Sequence, residues 1–525
     1  MHGAVALSAR AGFFRDPIHA AAEAALVLFA GRVTAPIMIR ESAMRSIRLT
    51  ASLLPMLFAA PLAFAQATFW VATNGVDSPA NGSEASPWRS ITYALDRVPD
   101  ASLILVKPGI YSGRIRIRGN FPVGVTVRSQ LRYQARLRAH EAVLTIYDDN
   151  EIQGINIEGF DIAHDGAGAG GLVVQVQDGG ADTHRITFRD NILHDSYNND
   201  ILKINNGASD ITVSGNLFYN QNGSDEHIDI NSVDGVLVED NVFFNDFAAS
   251  GRPVGNDTSS YVVVKDSNGG SDEYLGARNV TIRRNVFLNW QGSSGSNFVL
   301  LGEDGTANHE AFDCLVENNL MLGNSANTMR AAFGVKGSRD SVFRANTVVG
   351  NLPSLAFAMR LNREGSNPVV SNIDFHNNLW SDPTGSMEDF SDTPPADSQN
   401  IELRRNGYWN GGNALPVDSG EAIRIANDSE AVTGNPQLPD SSTPDTPVWN
   451  PALAQFDGGY TTIRAAFVAL VEAYAQPANN GSGIGMADPS EMPADDILGR
   501  PRDANPDLGA FERLGDVIFA DGFEM

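Results

Sequence analysis

One short pattern of apolar and polar positions recurs along the middle of the chain: apolar, two polar residues, asparagine, then an apolar pair. It runs Phe188-Arg-Asp-Asn191-Ile-Leu, Val213-Ser-Gly-Asn216-Leu-Phe and Val238-Glu-Asp-Asn241-Val-Phe. It returns at Ile282-Arg-Arg-Asn285-Val-Phe, Val316-Glu-Asn-Asn319-Leu-Met, Phe343-Arg-Ala-Asn346-Thr-Val and Phe375-His-Asn-Asn378-Leu-Trp. Successive asparagines are 25, 25, 44, 34, 27 and 32 residues apart. A fixed minimum with variable excess describes a coil that carries insertions at particular turns. Between the asparagines lie short β-branched stretches alternating apolar and polar residues, which predict strands. Together these features predict an all-β chain folded as a right-handed parallel β-helix. The asparagines stack rung on rung, roughly 4.8 Å apart, and hold a turn without doing chemistry.

The ends predict caps, because terminal coils would otherwise expose core and strand edges. Ser86-Pro87 opens a short helix through about Arg97, with Ile91, Ala94 and Leu95 on one face. At the far end, Tyr460–Gln476 places Ile463, Phe467, Val471 and Tyr474 on one helical face, suited to packing along the solenoid. Residues 386–450 are rich in Pro, Ser, Asp and Asn and read as long loops. Gly499-Arg-Pro-Arg through Glu512 reads as a structural closing motif. Residues 44–65 have a basic start (Arg45, Arg48), an apolar stretch and Ala63-Phe64-Ala65, the pattern of a cleaved signal peptide. Residues 1–43 have no role in such a peptide and suggest an over-extended start. The predicted organisation is 1–65 removed, 66–155 cap and first coils, 156–385 central coils, 386–515 C-terminal coils, loops and cap, and 516–525 a tail. No other stretch approaches 18 apolar residues, so no membrane span is expected. A secreted, monomeric protein is predicted.

Composition narrows the partners. The chain has 525 residues and a formal net charge of −26. Removing residues 1–65 takes away six basic and three acidic side chains and leaves −29. Polyanions bind basic surfaces, so nucleic acid and anionic membrane are excluded as partners. Cys314 is the one cysteine, which excludes disulfides and zinc fingers. Of 37 basic residues only Lys107, Lys203, Lys265 and Lys336 are lysines. Any lysine chemistry therefore falls to one of four.

Acids cluster in two consecutive coils. Asp200 and Asp225 each lie nine residues after a ladder asparagine, and Glu226 and Asp229 follow at once. Equal phase predicts that these carboxylates lie about one strand spacing apart. Packed acids repel and are pushed toward protonation unless a cation is present. Hard oxygen ligands on a rigid scaffold suit Ca2+, which makes Asp200, Asp225, Glu226 and Asp229 candidate ligands. The alternative is a set of solvated turn acids. Leu202-Lys203-Ile204-Asn205, Ile228-Asp229-Ile230-Asn231 and Val264-Lys265-Asp266-Ser267 align as one strand in three coils. That alignment predicts Lys203, Asp229 and Lys265 in one column. A lysine beside a bound cation loses its preference for the ammonium form and can act as a general base, which arginine cannot. Lys203 also reads as a salt-bridge partner of Asp229, so Lys265 is the first candidate and Lys203 the second. Lys336 reads as structural.

At these residues the sequence resembles the family nine polysaccharide lyases, calcium-dependent pectate lyases built on a right-handed parallel β-helix. Asn198-Asn199-Asp200 matches the first element of that family's calcium site, with Ile201 in place of Gly. Asn222-Gly-Ser-Asp225-Glu226-His227-Ile228-Asp229-Ile230 matches the second, with Glu226 for Asp and His227-Ile228 for Gly-Trp. Lys265 sits where the family's base is expected, although Val-Val-Val-Lys-Asp-Ser departs from the family's Phe-Lys-Leu-Gly. The resemblance covers residues 69–290. It implies β-elimination on an acidic polysaccharide, polygalacturonate first and alginate or another uronan second. Arg252 or Arg283 are candidates for holding further substrate carboxylates. Two rivals are a β-helix glycoside hydrolase and a carbohydrate-binding or surface β-helix with a structural calcium clip. The motif sets of polygalacturonases (Asn-Thr-Asp, Gly-His-Gly, Arg-Ile-Lys) and of uronan epimerases (Asp-Pro-His) are missing.

Overall fold

A computed structural model describes residues 66–222, 225–252, 260–288, 291, 296–323, 329–352 and 356–513. The expected signal peptide and the tail 516–525 lie outside the described residues. The chain is a right-handed parallel β-helix of about 11 turns, built from three long parallel sheets. Each coil visits the sheets in turn. In one of them Thr183–Arg189 lies in the first sheet, Ile192–His194 in the second and Leu202–Asn205 in the third.

The asparagine ladder stands between the first and second sheets. Asn216 Oδ1 accepts from both the N–H and the Nδ2 of Asn191, at 2.9 and 3.1 Å, and Asn191 Nδ2 also donates to Ile157 O at 2.8 Å. The same linkage repeats from Asn216 through Asn378. It extends to an eighth rung, Asn406, and ends on the carboxylate of Asp428. Every member is fully buried, so each amide must be paired within the protein. Residues 386–450, expected to be loops, therefore include another coil, with Ser398–Arg404 in the first sheet and Gly407–Asn410 in the second.

Inside, alternating side chains stack along the axis. Phe218, Phe243 and Phe287 lie in consecutive coils with ring centroids 5.1 and 4.8 Å apart. The N-terminal cap helix is shorter than its pattern suggested, Ile91–Leu95, with Ser90 as N-cap. It buries Ile91, Ala94 and Leu95 against the first coil, as the apolar face requires. The C-terminal helix Ile463–Tyr474 starts at the N-cap Thr462 and buries Ile463, Ala466, Phe467, Leu470 and Val471. These pack on outward residues of the second sheet, among them Ile192, Leu217, Val242 and Val286. Arg502 and Glu512, both buried, pair at 3.0 Å and lock the closing motif. The second sheet thus presents apolar residues outward beneath the C-terminal helix, whereas the third presents Gln175, Lys203, Asn205, Asp229, Asn231 and Lys265 outward. Among the described residues no helix is long and apolar enough to cross a membrane.

Candidate functional site: a buried carboxylate group on the third sheet

The site is built on three adjacent strands of the third sheet: Leu202–Asn205, Ile228–Asn231 and Val262–Lys265. Leu202, Ile228 and Val262 point into the core, and the next residue in each strand points out. Lys203 pairs in register with Asp229, as expected. The third strand corrects the predicted alignment: Val263 faces Asp229, and Lys265 faces Asn231, two residues further along. The apolar run Val262-Val263-Val264 does not alternate, so it cannot fix register, and a two-residue shift keeps Lys265 on the outer face. Lys265 still reaches the cluster, with Nζ 3.5 Å from Asp229 Oδ2.

Asp200, Glu226 and Asp229 come together, their nearest carboxylate oxygens all within 4.8 Å of one another. They are 2, 4 and 1 % exposed. The predicted pairing of Asp200 with Asp225 is one residue off. Ile201 N–H donates to Glu226 O at 3.1 Å, and Glu226 N–H donates to Asp200 Oδ1 at 2.9 Å, so Glu226 is the neighbour of Asp200. Asp225 is half-buried outside this group, with Asn222 Nδ2 3.3 Å from its carboxylate. Counting from the asparagine gave the right coil, but the loop before the strand is longer by one residue in the second case.

The electrostatics follow from burial and crowding. Burial, and then the charge of Asp229, raises the pKa of Asp200. Burial, then Asp200 and Glu303, pushes Glu226 well above the carboxylate range. Asp225 is raised to about 6 by burial and by Asp200. Two lysines answer this charge. Lys203 Nζ lies 2.6 Å from Asp229 Oδ2 and 3.8 Å from Asp200, and Lys265 Nζ lies 2.6 Å from Glu303 Oε2. Burial works against both ammonium groups, yet the surrounding carboxylates outweigh it and hold both above the ordinary lysine value. Both lysines crowd onto Asp229 Oδ2, while Asp229 Oδ1 is buried with no hydrogen-bond partner.

Glu303 was not anticipated. It follows the third-sheet strand Val299–Leu301 of the next coil, and Gly302 makes the turn with φ 81°. A Cβ on Gly302 would stand 1.7 Å from Lys336 O, so only glycine fits. The buried carboxylate of Glu310 accepts from the N–H groups of Glu303, Asp304, Gly305 and Thr306, which fixes the turn and aims Glu303 at Lys265. The visible signal was the Gly-Glu-Asp-Gly sequence directly after an apolar strand.

Other expected residues sit elsewhere. Arg283 lies on the first sheet, paired with Glu239 at 2.9 Å, away from the third sheet. Arg252 pairs with Asp195 at 2.9 Å and lies over the Tyr197 ring. Lys336 pairs with Glu364 at 2.5 Å, in keeping with a structural role. His227 is fully buried against Tyr261, and burial lowers its pKa to about 3, so it is neutral packing.

No protein family and no curated protein matches this chain. Among solved structures, the complex of XylC with xylose is 10 % identical, covering 85 % of this chain and 98 % of that one, at a TM-score of 0.47. Pectate lyase Pel9A is 18 % identical, covering 86 % of this chain and 97 % of that one, at 0.38. A polygalacturonase from Erwinia carotovora ssp. carotovora is 11 % identical, covering 71 % and 98 %, at 0.38. At such identities and scores these likenesses carry no argument about chemistry, which must come from the site itself.

Proposed function

We propose that the chain is a secreted, carbohydrate-active enzyme: a cation-dependent lyase that cleaves a uronate polymer by β-elimination. The observation that carries this reading is the buried trio Asp200, Glu226 and Asp229, with the unpartnered Asp229 Oδ1, set against Lys203 and Lys265 on an outward sheet face. Three buried carboxylates served by two lysines leave a deficit of positive charge. An oxygen-only donor set with one orphan oxygen fits a hard divalent cation such as Ca2+. Asp200, Glu226 and Asp229 would hold it, with Asp225 at the rim.

A divalent cation held there would supply a partner for the substrate carboxylate and would offset the carboxylate charge that keeps Lys265 protonated. Lys265 takes the C5 proton of the uronate, which its carboxylate acidifies. The electrons of the C5–H bond form the C4–C5 double bond, and the C4–O bond breaks with its pair going to the departing glycosidic oxygen. Glu303, 2.6 Å from Lys265 Nζ, fixes the position of the amine beside Asp229. Lys203, tied to Asp229 at 2.6 Å, holds that carboxylate in place. Polygalacturonate is the first substrate and alginate the second.

The test is a spectrophotometric assay of the mature protein on polygalacturonate, alginate and a neutral xylan, with Ca2+ or with chelator. Ultraviolet absorbance of the unsaturated product should rise on one uronan, need the cation and disappear in Lys265→Ala. Silence on every uronan would overturn the lyase. Binding without turnover would favour a carbohydrate-binding solenoid with a structural cation.

A further inference from the structure

A second site lies at a different corner of the solenoid, where the first sheet turns into the second. Each coil there passes through a left-handed residue just before its ladder asparagine. Asp190, Asp240, Arg284 and Asn318 occupy that position, with φ between 51 and 58°. Two coils carry glycine instead: Gly159 at φ 73°, in the coil before the ladder begins, and Gly215 at φ 68°. A Cβ at Gly159 would have its nearest neighbour 3.7 Å away, and one at Gly215 4.0 Å away. The missing side chains leave a hollow along the corner. The returning C-terminal segment, with Trp449, Thr461 and Thr462, forms one side of an open cleft of about 920 Å³ there.

The lining reverses the charge of the protein. Arg128, Arg132, Arg189 and Arg464 face three acids, Glu158, Asp190 and Asp240, in a chain of net charge −26. Those acids are also oversubscribed. Glu158 meets Arg128 at 2.6 Å and Arg189 at 3.9 Å, and Asp190 serves Arg132 at 2.7 Å and the Tyr133 hydroxyl. Asp240 is shared by Arg284 at 3.2 Å and Arg464 at 3.3 Å. The four lining arginines have side chains 48 to 62 % exposed, so their guanidinium groups can exchange partners at little cost. Thr462 is the N-cap of the 12-residue C-terminal helix, whose positive end adds to the field. Trp449 also lines the cavity, 7 % exposed, with its ring packed edge-on against Tyr133 at 4.9 Å.

We infer that this cavity is a second saccharide site, which binds a carboxylate-bearing sugar through Arg189 and Arg464 with Trp449 as its wall. The choice of an acidic sugar over another anion rests on the uronan reading of the third-sheet site. Guanidinium forks recognise carboxylates in a paired geometry, and an aromatic wall suits the apolar face of a sugar ring.

The experiment is calorimetry of the mature protein with trigalacturonate in the presence of chelator, followed in parallel by tryptophan fluorescence. Without cation the third-sheet carboxylates repel the probe, so the heat reports the cavity. Saturable binding is expected. Arg189→Gln and Arg464→Gln should each weaken it about tenfold, the loss of one charge-assisted hydrogen bond. Gly215→Asn should abolish it by filling the hollow. That variant keeps the fold, since Asn318 and Asn377 occupy the same left-handed corner in other coils, and an unchanged melting temperature would verify this. Neutral xylotriose should not compete. Absence of binding, equal affinity in all three variants, or displacement by inorganic phosphate at the same concentration would overturn the proposal. Turnover assays separate it from the lyase reading: cavity binding in a protein that cleaves no uronan refutes only the lyase, and cleavage without cavity binding refutes only the second site.

Discussion

The sharpest consequence of the carboxylate trio is that cation binding should expel a proton. Asp200, Glu226 and Asp229 lie within 4.8 Å of one another. Two full charges at that separation repel by about 3.5 kcal/mol at an effective dielectric of 20. Lys203 and Lys265 relieve Asp229 but leave Glu226 without a cation in hydrogen-bonding reach, and its pKa is pushed well above the carboxylate range by burial and by Asp200. That upward shift favours a shared proton on the trio, which a divalent cation would displace. Calcium titrated into chelator-stripped protein in Pipes and in Tris should give enthalpies that differ by about one buffer ionisation enthalpy per ion bound. Saturation at about 100 times Kd should stabilise the fold by ~2.7 kcal/mol. For the roughly 425 described residues with an unfolding entropy of ~2.1 cal/mol/K each, that is a rise in Tm of about 3 °C. Asp229→Asn should lose the heat, the proton and the Tm shift together. Identical enthalpies in the two buffers, or a Tm indifferent to chelator, would refute the argument.

Three further outcomes follow from the same geometry. Lys265→Arg keeps a cation beside Glu303 and Asp229 but removes a titratable base, so it should retain the wild-type Tm within about 2 °C and lose at least ~100-fold in turnover; Lys265→Ala should lose both. Asn241→Ala strips paired partners from Asn216, Val213 and Asn285 in the buried ladder and should cost on the order of 3–5 kcal/mol in a urea melt. Asp178, raised to about 7 by burial and then by the neighbouring carboxylate of Glu273, binds a proton more tightly folded than unfolded, so its contribution is present at pH 4 and lost as pH rises through 7. Asp178→Asn should therefore raise Tm at pH 8 and leave it unchanged at pH 4, by less than ~1 kcal/mol given the solvent access of the pair.

The ladder was readable because its chemistry is unforgiving. A buried asparagine must satisfy both amide ends, and along the row another asparagine one coil away does so until Asp428 ends it, so the residue recurs with visible spacing. Asn406 escaped notice because Gly407 follows it where the other rungs have a larger side chain. The third sheet was harder to read, since its register depends on loops whose lengths vary coil by coil. Val262–Val264 carries no alternation to fix the register of Lys265. Glu303 meets Lys265 across 38 residues of chain with a turn that only Gly302 and the Glu310 carboxylate define.

That division follows from how a solenoid uses sequence. Coils about 25 residues apart are brought within one strand spacing, so repeat length fixes which coils touch, and a single residue in the preceding loop decides which side chains touch. One such residue exchanged Asp225 for Glu226 as the neighbour of Asp200. The substitution changes more than a name. Asp225 is half-buried and shares its charge with solvent, whereas the buried Glu226 cannot, and burial beside Asp200 is what raises its pKa. The net charge of −26 says nothing of this, because screened surface acids act over about 10 Å at most at moderate ionic strength. On the proposed reading, what a polyanionic substrate would meet is set locally: by the loop lengths before the third sheet at one corner, and by two missing side chains among four arginines at the other.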